Sequence, residues 1–118
     1  MILTGETKLD FERWLHSNDV LIKDGIYDDT YLTDVFDKLP LNFQNALIID
    51  FFDSVGIYIS VKRLCTSLKF RCWYFIITNE DGNYLNKHSS DESRINNDSR
   101  IEITIEVIKK ANEIYNLK

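Results

Sequence analysis

Apolar residues are densest between positions 41 and 61, where a helical spacing gives way to strict alternation. At 100° per residue, the apolar side chains of the first part sweep about 200° of a helical wheel. They are Leu47, Ile48, Ile49, Phe51, Phe52 and Val55. A helix with so wide an apolar face must be covered by several neighbours. The pattern therefore predicts a central helix that begins at Pro40, is capped by Asn42 and ends at Gly56.

Two shorter helical patterns precede this central helix. Residues 7–17 form an amphipathic segment in which Thr7 and Asp10 have the spacing of an N-terminal cap. Trp14 lies on the apolar face of that segment, where we expect it to anchor the helix to the core. Residues 28–39 carry a second apolar stripe at helical spacing. Both segments are therefore predicted to be helices that pack on the central one.

Alternating and continuous apolar runs follow, and they predict strands. Residues 57–61 alternate apolar and polar side chains, as a half-buried strand does. Residues 70–78 are apolar on both faces, which is typical of a middle strand covered on both sides. The polar segment 80–83 contains hairpin-turn residues, so the chain is expected to return as a short third strand through Tyr84 and Leu85.

The end of the sequence begins with a polar stretch and closes with an ambiguous apolar pattern. Residues 86–99 are almost entirely polar and are predicted to form a mobile surface loop. Residues 101–107 alternate as a strand would, but a helical projection fits equally well and extends further. We therefore predict a helix from about Arg100 to Asn116.

These elements predict one α+β domain that spans residues 1–118. The expected order is α-α-α-β-β-(β)-α, with about four helices packed on a small antiparallel sheet of two to three strands. The apolar fraction of 44% in 118 residues is enough for a core without disulfides or metal. Cys65 and Cys72 lack the spacing of a metal site and are expected to be reduced thiols.

Charge and targeting features narrow the classes of function. Residues 1–56 contain eleven acids and four bases, whereas residues 57–118 contain eight acids and ten bases. This distribution argues against a general nucleic-acid binder, which needs clustered Lys and Arg. No apolar run is long enough for a membrane span, and the first residues do not resemble a secretion signal. A cytoplasmic protein is therefore expected.

Catalytic motifs are not apparent in the sequence. It contains no Gly-rich phosphate loop, no zinc-protease helix motif, no nucleophile elbow and no metal-spaced cluster. His88 lies beside serines and Asp91 in the predicted loop, but catalysis needs positioned groups and an oxyanion donor. We therefore expect neither an enzyme nor a cofactor or metal site.

Two sets of residues are candidates for contact with a partner. The first set consists of acidic and hairpin-turn residues that could meet a basic protein surface. Its members are Asp28, Asp29, Asp34, Asp37, Glu80, Asp81 and Tyr84. The second set is basic, flanks the aromatic residues of the predicted hairpin and could bind single-stranded RNA or DNA. Its members are Lys62, Arg63, Lys69 and Arg71.

Several blocks of the chain resemble small uncharacterised proteins encoded by phages and prophages of Bacteroidetes. They are LTGETKLDFERWL at 3–15, the central helix with DFFDSVGI at 50–57, and KANEIYN at 110–116, with shorter matches at 73–77 and 99–100. The chain departs from the pattern in the 86–99 loop and in the β-branched run 101–107. The resemblance implies a phage accessory product, and it supplies no activity, cofactor or catalytic residue.

Such products act mainly through contacts with host macromolecules. Together with the acidic first half and the missing catalytic motifs, the resemblance leads us to expect a non-enzymatic inhibitor of a host defence effector, such as a CRISPR nuclease complex. The alternative is a small nucleic-acid-binding module that uses the basic and aromatic hairpin. The sequence does not indicate the oligomeric state.

Overall fold

A computed structural model describes residues 1–18, 35–65, 71–89 and 100–117. Its elements are α1 (Gly5–Ser17), α2 (Leu41–Ser54), β1 (Tyr58–Cys65), β2 (Arg71–Thr78), β3 (Tyr84–Ser89) and α3 (Arg100–Asn116). Residues 35–37 are also helical, which is where the predicted second helix nears its end; its earlier part lies outside the described residues. The α+β fold class and the order of elements are confirmed.

The three strands form one antiparallel sheet in the order β1-β2-β3, so β2 is the middle strand, as predicted. Helices α2 and α3 pack on the sheet, and α1 packs on both of these helices. Phe75 and Ile77 of β2 are buried on the helix side. Tyr74 and Ile76, on the opposite side, are half-buried.

The third strand is longer than the sequence predicted, because residues 86–89 belong to β3 and not to a loop. Asn86 pairs with Ile77, and His88 pairs with Phe75. An edge strand needs only one paired side and tolerates polar side chains, so its composition resembles that of a loop. The remainder of the predicted loop, residues 90–99, lies outside the described part of the chain.

Phe51 of α2 lies at the centre of the hydrophobic core. Its ring centroid is 5.5 Å from that of Phe11, 6.1 Å from Trp14, 5.4 Å from Phe52 and 5.9 Å from Tyr115. The rings meet edge to face or tilted, which are the arrangements that aromatic quadrupoles favour. The central position of α2 and the anchoring of Trp14 are therefore confirmed. Other buried apolar side chains are Leu3, Leu15, Phe36, Ile48, Ile57, Phe75, Ile77, Ile103, Val107, Ile108 and Ala111.

The start of α1 is capped by side chains of α3 and not by Thr7, so the predicted cap is wrong. Thr7 lies inside the helix and is fully buried. Asn116 Oδ1 accepts the Thr7 N–H at 3.0 Å and lies 2.8 Å from its hydroxyl. Asn112 Oδ1 accepts the N–H of Thr4 at 3.0 Å, and Asn112 Nδ2 donates to the Thr4 hydroxyl at 3.0 Å. Two asparagines thus satisfy groups that a helix start would otherwise leave without partners.

Gly5 allows this close approach of α1 and α3. Its φ is +61°, in the left-handed region that favours glycine. A Cβ there would lie 3.1 Å from Asn116 Oδ1. Because Leu3 is buried beside this contact, the Leu-Thr-Gly block and the KANEIYN block of the sequence meet in space. The two blocks form one structural unit.

The start of α2 differs from the local sequence prediction, whereas its end agrees with it. The helix begins at Leu41, next to the predicted start at Pro40, and Pro40 occupies the N-cap position without a side-chain cap. Asn42 is exposed within the first turn and does not cap the helix, because the helix starts at Leu41, two residues before the start that an Asn42 cap requires. Gly56 ends the helical segment with φ of +81°, which confirms the predicted glycine stop.

Ionisation of Tyr115 offers a test of the contact between α1 and α3. Its hydroxyl donates to Asp10 Oδ2 at 2.6 Å, and this hydrogen bond, followed by burial, raises the pKa of Tyr115 to about 12. The unfolded chain loses this proton first, near pH 10, so stability falls as pH rises from about 10 to about 12. Absorbance of tyrosinate should show ionisation that continues to about pH 12, and Tyr115→Phe should remove this late component. Persistence of the late component in Tyr115→Phe would contradict the assignment.

Candidate protein-binding surface

The turn between β2 and β3 is held by one asparagine. Asn79 Oδ1 accepts the N–H groups of Asp81 and Asn83, both at 3.0 Å. The Asn79 carbonyl accepts the Gly82 N–H at 3.0 Å, and Gly82 has φ of +81°. Asn side chains bond to the backbone ahead of them in this way, and glycine supplies the positive φ. The turn therefore presents Asp81 and its neighbour Glu80 from a fixed backbone.

This turn packs against the end of α2 through Glu80 and Gly56. An ideal Cβ on Gly56 would lie 2.7 Å from Glu80 Oε1, so the Glu80 side chain occupies the space that glycine leaves open. The Gly56 N–H donates to the Asp53 carbonyl at 3.2 Å. Glu80 and Asp81 are thereby brought to the same end of the molecule as the C-terminal turn of α2.

Negative charge is concentrated at this end. Partial burial raises the pKa of Asp53, and the nearby Asp50 carboxylate raises it further. Asp53 also lies in the last turn of α2, where the partial negative charge of the helix terminus disfavours an acid. The ionised Asp53 carboxylate therefore lowers the stability of the folded state at neutral pH, and a basic partner would relieve its repulsion with Asp50.

Two exposed tyrosines lie beside the acidic turn. Tyr58 of β1 and Tyr84 of β3 both pair with Thr78, so they flank the end of β2 on its two sides, and the register of β2 with β3 is irregular between Ile77 and Thr78. Their exposed fractions are 41% for Tyr58 and 68% for Tyr84. Neighbouring strands are about 4.8 Å apart, which places the two tyrosine backbones about 10 Å from each other. We call Tyr58, Glu80, Asp81 and Tyr84 the tyrosine–acid surface.

The other predicted acidic residues do not join this surface. Three of them lie outside the described residues: Asp28, Asp29 and Asp34. Asp37 is exposed, and its Oδ1 lies 3.6 Å from the amino group of Met1. Asp37 precedes α2, whereas the acidic turn packs at the end of α2, and a helix of 14 residues is about 21 Å long.

The basic residues of the alternative set are dispersed as well. Lys62 and Arg63 are consecutive in β1 and exposed, so they point to opposite faces of the sheet. Arg71 is the first residue of β2, and Lys69 lies outside the described residues. Lys62 pairs with Tyr74, which places one base and one half-buried aromatic ring together on the face of the sheet opposite the helices.

The remaining aromatic residues of β2 do not form an open stacking platform. Phe75 is 3% exposed and belongs to the core, and Trp73 is half-buried on the same side of the strand. Bases need an accessible ring face for stacking. Half-buried Tyr74 pairs with Lys62 and half-buried Trp73 pairs with Arg63, on opposite faces of the sheet, so the described residues do not gather these bases and rings on one platform.

Metal-binding clusters and membrane-spanning helices are not found in the described residues. Within residues 1–18, 35–65, 71–89 and 100–117, no three His, Cys, Asp or Glu side chains are placed to hold a metal ion. No helix among them has the length and apolar character needed to cross a membrane. The chain matches no protein-family model, no curated protein and no solved structure.

Sequence reasoning missed part of this surface. Tyr58 is only an outward position in the alternating strand pattern of residues 57–61, and that pattern does not link it to the turn. The meeting of the turn with the end of α2 depends on the contact between Gly56 and Glu80, two residues 24 positions apart in the sequence. A tyrosine at an outward strand position beside a glycine stop is the one local signal that could have indicated Tyr58.

Substituting Gly56 tests whether the turn is docked on α2. Gly56→Ala should cost about 2 kcal/mol, because alanine is strained at this φ and its Cβ displaces Glu80. Gly82→Ala, which has the same φ but no neighbour within 4 Å, should cost about 1 kcal/mol. Urea denaturation measures both values. In a Glu80→Ala background the excess cost of Gly56→Ala should disappear; an unchanged difference would show that Glu80 does not hold the turn.

Proposed function

We propose that this protein acts without catalysis, by protein–protein contact, through the tyrosine–acid surface. The observation that carries the proposal is the pair of exposed tyrosines, Tyr58 and Tyr84, which flank Thr78 beside a rigid acidic turn. Tyrosine is enriched among residues that dominate binding energy at protein interfaces. Charged residues around such anchors steer a complementary partner and set its orientation.

Electrostatic strain at the same end supports this choice of surface. Asp53 lies at the unfavourable end of a helix dipole, and Asp50 repels it. Carboxylates that reduce folded-state stability are expected where function requires them. A partner with a basic surface would gain from this charge, and nucleases that handle nucleic acid carry basic channels.

The sequence resemblance supplies the biological setting of the proposal. As a phage or prophage accessory product, the protein would act in the cytosol of the bacterial host. Its target would be a host protein that binds nucleic acid, with a CRISPR nuclease complex as the foremost candidate. The acidic end would occupy the basic channel and exclude the nucleic acid.

Affinity capture on the immobilised protein tests this proposal. Host lysate is passed over it with and without nuclease treatment, and retained proteins are identified and their affinity measured. We expect a stoichiometric host protein that survives nuclease treatment. Tyr84→Ala should weaken its binding about 30-fold or more, as loss of a central tyrosine anchor does. Reversing charge with Glu80→Lys and Asp81→Lys should slow association and reduce its salt dependence.

Matched variants identify the surface that is used. Phe43→Ala removes another exposed aromatic side chain at the start of α2 and should leave binding unchanged. Asp37→Lys reverses an acid at that same end and should also have little effect. Binding that is lost in Asp37→Lys but kept in Tyr84→Ala would contradict the tyrosine–acid surface. If nuclease treatment abolishes the retention of host material, and if Arg63→Glu and Arg71→Glu weaken it, the nucleic-acid alternative would be favoured.

A further inference from the structure

A groove of about 400 Å³ lies between α2, β1 and the first turn of α3. Its lining is mainly apolar, with Ala46 and Ile49 from α2, Ile59 and Val61 from β1, and Ile101 from α3. This volume is within the range of sites that hold small organic ligands, which are mostly apolar with a few placed polar groups. The groove shares no lining residue with the tyrosine–acid surface.

Asn45 supplies a polar group without a partner inside this groove. Its residue is only 6% exposed, yet among the described residues its side-chain amide makes no hydrogen bond. Among the described residues, every side-chain N or O atom that lacks a hydrogen bond retains some solvent exposure. Because Asn45 lines the groove, its amide is therefore exposed to the groove. A largely buried amide without a partner is unfavourable, and a ligand that hydrogen-bonds to it would be stabilised.

Positive charge is found at the mouth of the same groove. Arg100 lines it and is exposed, and no carboxylate of residues 1–18, 35–65, 71–89 or 100–117 pairs with its guanidinium. Arg100 is also the first residue of α3, a helix of 17 residues whose partial positive charge lies at this N-terminal end. The Asn42 amide lies on the same lining.

We infer that this groove binds a small carboxylate with an apolar body. The apolar body lies over Ile49, Ile59 and Val61, while Arg100 pairs with the carboxylate in a forked geometry and the Asn45 amide donates a hydrogen bond to it. The single positive charge of the Arg100 guanidinium balances the charge of a monoanion. The apolar lining disfavours a phosphate dianion, which is strongly hydrated. This inference does not depend on the proposed function, because none of these residues belongs to the tyrosine–acid surface.

Octanoate is the probe that tests the inference on the full chain, with octanol and octylammonium as matched ligands. Calorimetry should show one saturable octanoate site, and methyl NMR signals of Ile49, Ile59 and Val61 should shift on binding. Arg100→Gln should weaken octanoate binding about tenfold while leaving octanol unchanged. Lys109→Gln, which removes an exposed base of α3 outside the groove, is the control and should have no effect.

A second variant fills the groove with a large side chain and leaves the buried core unchanged. Ala46 is exposed at the groove, so Ala46→Trp should block octanoate while thermal unfolding stays unchanged. Three results would overturn the inference. They are the absence of saturable octanoate binding, equal affinity for octanol and octanoate with no effect of Arg100→Gln, and shifts confined to methyl groups outside the groove.

Discussion

Replacing Phe51 with alanine is expected to lower the free energy of unfolding by about 4 kcal/mol. Phe51 is 1% exposed, and its ring meets those of Phe11, Trp14, Phe52 and Tyr115 at centroid distances between 5.4 and 6.1 Å. The substitution removes both its transfer free energy and its packing with rings from three helices. Urea denaturation followed by circular dichroism measures the change.

Phe43 on the same helix is the matched control. It is 56% exposed, so Phe43→Ala should change the free energy of unfolding by no more than about 0.5 kcal/mol. Phe51→Leu should be intermediate, since it keeps part of the buried volume. A cost below about 2 kcal/mol for Phe51→Ala would contradict the central position of this ring in the core.

The second large effect is expected for Asn116→Ala, which should cost about 2 kcal/mol. The Thr7 N–H would lose its partner. The Thr7 hydroxyl would keep only the Asn112 carbonyl at 3.3 Å, and the Thr4 carbonyl, which accepts from Asn116 Nδ2 at 3.1 Å, would keep only the Lys8 N–H at 3.3 Å. Thr7 is fully buried, and each buried polar group left unpaired costs about 1–3 kcal/mol. Thermal and urea unfolding measure the loss.

An asparagine at another helix end provides the comparison. Asn18 Nδ2 donates to the Trp14 carbonyl at 2.8 Å, but this bond is exposed, so Asn18→Ala should cost less than about 1 kcal/mol. Combining Thr7→Val with Asn116→Ala should give a double-mutant coupling of about 1 kcal/mol or more. Strict additivity of the two substitutions would refute the buried hydrogen bond between them.

Elements with strong periodicity could be predicted from the sequence alone. For residues 101–107 both a helical and a strand pattern fit, but only the helical pattern continues to residue 116. The helix α3 spans Arg100–Asn116, as predicted. The middle position of β2 followed from its continuous apolar run, and φ of +81° confirms the glycine stop at Gly56. These features depend on local spacing, which the sequence displays directly.

Features that depend on distant residues could not be predicted. The Thr7–Asp10 spacing suggested a local cap, but Asn112 and Asn116 satisfy the helix start from another element. Polar residues 86–89 indicated a loop because edge pairing leaves no compositional signal. Asp37 was grouped with the turn acids by charge alone, although α2 separates them.

The candidate sites show the same limit. The acidic turn was predicted from hairpin residues, but its docking on Gly56 requires a tertiary contact. Asn45 was one polar residue in an apolar helix, and only the meeting of α2, β1 and α3 places it beside Arg100. Residue types therefore indicated candidate chemistry, while their grouping required the fold.

The pairing of Thr7 with Asn116 has a consequence for synthesis of the protein. The two residues are 109 positions apart, so the ribosome delivers the partner of α1 long after α1 itself has emerged. At about 5–20 residues per second, the delay is roughly 5–20 s. During this interval the N–H groups of Thr4 and Thr7 at the start of α1 lack their asparagine partners, although α2 can already cover Phe11 and Trp14. Its folding is therefore expected to be post-translational, and nascent chains arrested before residue 112 should remain sensitive to protease in α1.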